Sequence, residues 1–244
     1  MLVGGSIMYL KPDEAWPVCA TCVHPLVPLI QLNVSSAATP GELRELIPSV
    51  VPDGGSLATM LQLFVCPEPE CYDTSTLYST DTRSWIVRVA TVLLEPASAE
   101  GAQWSESRAT IEEADQFLPA RFVETWAAGK QETLHSELLW DQDDSEEFYA
   151  VHEPEPGLKL LGHAVRGKFL CAEEECPKPG NHDHLSWREL IQLGDRFHIQ
   201  LDSEEDEAQC NMTALDIMST IGNAWIEQCV EHPEVLLLSM SGNW

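Results

Sequence analysis

Two cysteine pairs, each set at the edge of a short apolar run, constrain this chain more than any other feature. Cys19 and Cys22 stand two residues apart in "WPVCATCVHP", just before the run "LVPLIQLNV". Cys66 and Cys71 close the run "ATMLQLFVC" and the "PEPEC" that follows it. A short C-x2-C turn presents two sulfurs to one ion, and tetrahedral thiolate coordination then needs a second pair from elsewhere in the chain. The spacing of Cys66-x4-Cys71 suits that part, with Pro67 and Pro69 stiffening the turn. Two readings stand side by side. Either the four are ligands of one structural zinc, or they are buried thiols at strand ends, because cysteine is often simply a small core residue. On the first reading the set is closed. Four protein ligands leave no position for water or substrate, so such a zinc stabilises and does not catalyse.

The chain has 244 residues, enough for one large domain or two packed halves. Forty acids against thirteen bases leave a formal charge of −27. That argues against binding nucleic acid or an anionic membrane, since phosphates need Lys and Arg to neutralise them. It suits either simple solubility or a basic protein partner. "MLVGGSIMYL" lacks a basic leader and a sustained apolar segment, and no apolar stretch of about 20 residues follows. The expectation is a cytoplasmic protein without a membrane segment. In that reducing compartment thiols stay reduced or bind metal.

Apolar runs rich in Val, Ile, Leu and Phe concentrate toward both ends. "LVPLIQLNV", "ATMLQLFVC" and "SWIVRVATVLLE" read as strands in the first part, and "RFHIQLD", "NAWIEQC" and "EVLLLSM" in the last. Between them, "SRATIEEADQFLPARFVETWAAG" has helix-compatible composition, with Pro119 marking a break or a start. "DQDDSEEFYAVHEPEP" reads as a solvated acidic connector. The fold class expected is α+β, rich in strand: two similar halves, residues 1–94 and 158–244, around a helical and acidic segment at 95–157. An ordered recurrence supports the halves. Gly4-Gly5, a Cys pair, "LIQLNVSS" and "LQLFVCPEPE" are echoed by Leu161-Gly162, Cys171 with Cys176, "HIQLDSEE" and "WIEQCVEHPE".

A second group of candidate metal ligands is Cys171 and Cys176 with His182 and His184; Cys210 and Cys229 are outside candidates. Its two histidines flank Asp183 in a polar stretch, where exposed histidines are common. No nucleophile elbow, zinc-protease helix, phosphate-binding loop or dinucleotide fingerprint is present. The acids Asp202, Glu204, Glu205, Asp206 and Glu207 read as a solvated face and not as acid/base machinery.

The order "GG…WPVCATC…PL…LIQL", then "LQLFVC…C", then "WIVRV" resembles the YwqG-like family of domains of unknown function. "QLDSEEDE" and "NAWIEQCVEHPEVLLLSM" are similar to that family's closing segment, in which a strand ending in Gln-Cys runs into a His-Pro turn. The N-terminal part also resembles the zinc-containing relatives of programmed cell death protein 2. The resemblance spans residues 3–89 and 158–240. It departs at "LLGHAVRG" and "CNMTALDIMSTIGNA", where glycine-rich turns would be expected. It implies two similar halves, Cys19, Cys22, Cys66 and Cys71 as zinc ligands, and no catalytic residue. It also implies a protein-binding role, as an immunity protein against a toxin or as an escort for a basic ribosomal protein. Two other classes remain open at this level. One is an enzyme or small-ligand protein with a pocket between the halves, lined by His152, His163 or His198; the other is a purely structural module.

Overall fold

Among the described residues, short strands separated by turns produce two larger antiparallel sheets and a two-stranded one. The computed structural model describes residues 1–3, 7–47, 56–66, 71, 85–94, 97–98, 121–122, 159–161, 176, 178, 187–193 and 223–241. The chain divides into two compact units. The first holds β1 (Leu2–Val3), β2 (Ile7–Met8), β3 (Val27–Asn33), α1 (Gly41–Leu46), β4 (Leu57–Val65), β5 (Trp85–Leu93), β6 (Ala97–Ser98) and β7 (Arg121–Phe122). Its main sheet runs β5-β4-β3-β1-β7, and β2 pairs with β6 alongside. The second unit holds β8 (Lys159–Leu160), β9 (Trp187–Leu193), β10 (Asn223–Cys229) and β11 (Leu236–Ser241), in the order β11-β10-β9-β8.

The strands expected at both ends of the chain are present as β3, β4, β5, β10 and β11. "RFHIQLD" lies outside the described residues. So does most of the helix-compatible middle segment, but at Arg121–Phe122 the backbone is a strand paired with β1, and Ala97–Ser98 pairs with β2. At Arg121–Phe122 strand pairing overrides helix-compatible composition, which is a weak prior against a tertiary partner. The six-residue helix α1 is an addition to the elements expected from the sequence. Pro40 precedes it, Glu42 sits in its first turn and Arg44 in its last, as the helix dipole favours, and Leu43 is fully buried. No helix among the described residues is long and apolar enough to cross a membrane.

Central position explains the composition of β3 and β4. Residues 27–32 and 58–65 are buried on both faces, so these strands read as continuous apolar runs and not as alternating ones. Pro28 is tolerated inside β3 because a bulge interrupts the ladder between Pro28 and Ile30. The outermost strand β5 alternates more loosely and leaves Val89 and Leu93 exposed.

Two glutamines break the apolar run, and the sheet uses both. Gln31, Gln62 and Arg88 are direct cross-strand neighbours on β3, β4 and β5. Gln62 Nε2 donates to Tyr9 O at 2.7 Å and to Gln31 Oε1 at 3.2 Å, while Gln31 Oε1 also accepts from Tyr9 N at 2.9 Å. Arg88 Nε donates to Gln62 Oε1 at 2.9 Å, its guanidinium forms a forked pair with the Glu14 carboxylate, and it lies 5.1 Å from the Phe64 ring centre. A buried polar chain of this kind is stable only when its members are satisfied.

The network predicts a pH effect. Burial pushes the Glu14 carboxyl up, but the hydrogen bonds and charge of Arg88, with the Lys11 N–H, outweigh it and hold the group below its ordinary value of 4.5. A depressed carboxyl contributes stability above its unfolded value, and that contribution is lost as pH falls through the folded one. Glu14→Gln is therefore expected to cost about 1–2 kcal/mol at neutral pH, and less and less below pH 4.5. Urea midpoints of both proteins from pH 7 to pH 3 check this; parallel curves would contradict it.

The two sheets share a local design. β3 and β9 each contain the tetrapeptide Leu-Ile-Gln-Leu, at 29–32 and 190–193. The β3–β4 register passes from Ile30↔Leu63 to Pro28↔Phe64, and the β9–β10 register from Ile191↔Ile226 to Glu189↔Glu227. The leucine left over, Leu29 or Leu190, is the first of the tetrapeptide in both. In each sheet the glutamine has a polar partner across the ladder: Gln31 meets Gln62, and Gln192 accepts from Trp225 Nε1 at 3.3 Å.

Candidate metal centre

Residues 17–26 form a small hairpin that leads straight into β3. Val18 bridges Pro25, Leu26 N donates to Pro17 O at 2.9 Å, and Cys19 N donates to His24 O at 2.7 Å. Trp16 is buried beneath it and donates its indole N–H to Leu26 O at 3.0 Å. At the tip, Val23 N donates to Cys19 O at 2.9 Å, and the Thr21 N–H points at Cys19 Sγ, 3.4 Å away. Both sulfurs of Cys19-x2-Cys22 are thereby turned to one side. Val27 pairs with Val65, so the hairpin base lies beside the end of β4 and brings Cys66 to the tip.

The result is a cluster of four cysteines. The sulfurs of Cys19, Cys22, Cys66 and Cys71 all lie within 4.8 Å of one another, and none of the four is in a disulfide. Cys22 Sγ and Cys66 Sγ are 3.5 Å apart, against an S–S bond of about 2.05 Å. Four sulfurs at about 2.3 Å from a central ion stand about 3.8 Å apart along a tetrahedral edge. The cluster matches that size, so it could hold a metal ion. Cys19, Cys66 and Cys71 are buried with Met8, Trp16, Leu26 and Phe64, and Cys22, Leu10 and Ile86 pack against them. A site so enclosed is shielded from solvent ligands.

The thiols are unequal. Burial pushes Cys19 up, but the backbone N–H groups of Cys22 and Thr21 and its thiol neighbours bring it below the ordinary thiol value. Burial pushes the Cys71 thiol up to about 12. Without a cation, then, the group cannot all ionise; a metal favours the thiolates and releases their protons.

Val23 marks a strain in the tip. It is 70% exposed and sits at φ 64, in the left-handed region that β-branched residues avoid. Val23→Gly removes the steric cost but adds freedom to the unfolded chain. It is expected to stabilise by a net ~0.5–1 kcal/mol, read as a higher denaturant midpoint with unchanged metal content. A lower midpoint would show that the valine side chain is needed where it stands.

Of the second set of candidates, Cys171, His182, His184 and Cys210 lie outside the described residues, as do His152, His163 and His198. Cys176 is described, and it meets Cys229 and His232. Cys229 is one of the outside candidates, and His232 is a donor that the sequence spacing does not single out. The signal was available in "QCVEHPE", where a histidine follows the strand-end cysteine much as Cys71 follows Cys66. The chain matches no protein-family model, no curated protein and no solved structure.

Proposed function

We propose that the chain is a non-catalytic, zinc-stabilised acidic protein that binds a basic protein partner, as an immunity protein or a dedicated chaperone does. The observation that carries this reading is a formal charge of −27 on a chain whose four-cysteine cluster is closed. Zinc suits four thiolates in a small enclosed tetrahedron, and with four protein donors the ion has no position for a reacting group. The metal is then a brace, and the acidic surface is the working part. The Leu-Ile-Gln-Leu tetrapeptide and its matching bulge support a repeated unit, with β3–β4 equivalent to β9–β10 and Cys66 equivalent to Cys229. On that alignment the echo of "LIQLNVSS" is "LIQLGDRF" and not "HIQLDSEE".

A partner recruited by charge associates fast at low salt and loses that advantage as the Debye length shrinks. The test is affinity capture from the native cell, followed by association kinetics with the purified partner. The expected result is a stoichiometric protein of net positive charge, whose association rate drops by about tenfold or more between low and high salt. A neutral or acidic partner, or a rate indifferent to salt, would overturn the reading.

A further inference from the structure

The second unit builds its own donor cluster at the place equivalent to the first. Two residues beyond the bulge-flanking Phe64, β4 delivers Cys66; two beyond Glu227, at the end of β10, stands Cys229. Each is buried, and each is met by donors from a loop. Cys176 supplies the second sulfur and is also buried. His232 supplies a nitrogen from the turn between β10 and β11. That turn is well held: Val235 N donates to His232 O at 2.8 Å, Cys229 N to Val235 O at 3.1 Å, and Gln228 Nε2 to Pro233 O at 2.9 Å. An exposed Lys178–Glu234 pair ties the Cys176 segment to the same turn.

The distances fit one small cation. His232 Nδ1 lies 3.6 Å from Cys176 Sγ and 3.9 Å from Cys229 Sγ, and all three donors fall within 4.8 Å of one another. A tetrahedral ion with a sulfur at about 2.3 Å and a nitrogen at about 2.05 Å places those atoms about 3.6 Å apart. Two buried thiols packed only as core residues would not require an imidazole nitrogen within reach of both sulfurs. Thiolate sulfur with imidazole selects a thiophilic cation such as zinc over magnesium or calcium.

We propose that Cys176, Cys229 and His232 form a second metal site, distinct from the four-cysteine cluster and specific for zinc-like ions. It stands apart from the proposed partner binding and does not depend on it. The test uses the full chain, purified without chelator, with metal content measured by elemental analysis and the coordination read by cadmium-113 NMR. Two equivalents are expected. Two cadmium resonances are expected as well, one in the all-sulfur range and one shifted toward mixed nitrogen and sulfur.

His232 is half-exposed on a turn, so His232→Ala should fold, lose one equivalent and erase only the mixed resonance. His232→Cys should keep two equivalents and move that resonance toward the sulfur range, which a merely structural histidine would not do. Cys66→Ser should erase only the all-sulfur resonance, which separates failure of one site from failure of the other. A wild-type protein with no resonance of mixed type, or a metal content that His232→Ala leaves unchanged, overturns the proposal.

Discussion

Cys66→Ser is expected to abolish metal binding at the four-cysteine cluster and with it the cooperative unfolding of the first unit. Cys66 is fully buried at the end of β4 and is the donor through which the sheet reaches the hairpin tip. Structural zinc binding carries on the order of 10 kcal/mol of apparent free energy, which exceeds the net stability of many whole domains, about 5–15 kcal/mol. The variant should therefore lose one metal equivalent and show a broad, low-temperature melt for the first sheet. Wild-type protein stripped with a strong chelator should behave alike, and readding zinc should restore only the wild type. A metal-free native protein that melts as cooperatively and as high as before would end the idea of a metal brace.

The second large effect is expected at Gln62→Leu. The change looks favourable, since the position is fully buried in an apolar strand. It removes the donor to Tyr9 O and the acceptor of Arg88 Nε at once. Each polar group left without its bond costs about 1–3 kcal/mol. We expect a net loss of about 3 kcal/mol, or roughly 6–12 °C in melting temperature. Adding Gln31→Leu should cost more, because Tyr9 N then loses its acceptor, but the double variant should fall short of the summed single losses by more than ~0.5 kcal/mol, since the two amides contact each other. A stability change within ~0.5 kcal/mol for the single variant would show that the chain of glutamines is a passive passenger in the core.

These two positions also separate what local sequence reveals from what it hides. Cys19 and Cys22 are legible because their spacing is itself the geometry: one tight turn sets both sulfurs. Cys66 and Cys71 follow from their place at the end of a recognisable apolar run. The second cluster defeats that approach. Cys176 and His232 are 56 residues apart, and tertiary contact, not local spacing, brings them together. β9 is hidden in the sequence because Arg188 and Glu189 interrupt its apolar pattern, although Leu190 through Leu193 are buried. Gln31 and Gln62 were visible as a recurring Gln-Leu token. That they face each other follows from register, which a run buried on both faces does not encode by alternation. The helical reading of the middle segment failed at Arg121–Phe122 because a sheet edge at β1 offers hydrogen bonds that composition cannot foresee.

The gap between Cys22 and Cys66 joins points 44 residues apart, whereas the hairpin tip joins points only 3 apart. Closing a flexible loop costs about (3/2)RT ln n beyond a constant, roughly 3.4 kcal/mol for the long span and 1 kcal/mol for the short one. An unfolded chain can therefore keep an ion on Cys19 and Cys22 at little entropic cost, while Cys66 arrives only when β3 and β4 have zipped into register. Capture of an ion would then run in two stages, Cys19 and Cys22 supplying the first two donors and Cys66 joining with the sheet. An ion held there would be locked in by the β3–β4 ladder, so its lifetime would report how often that hairpin opens.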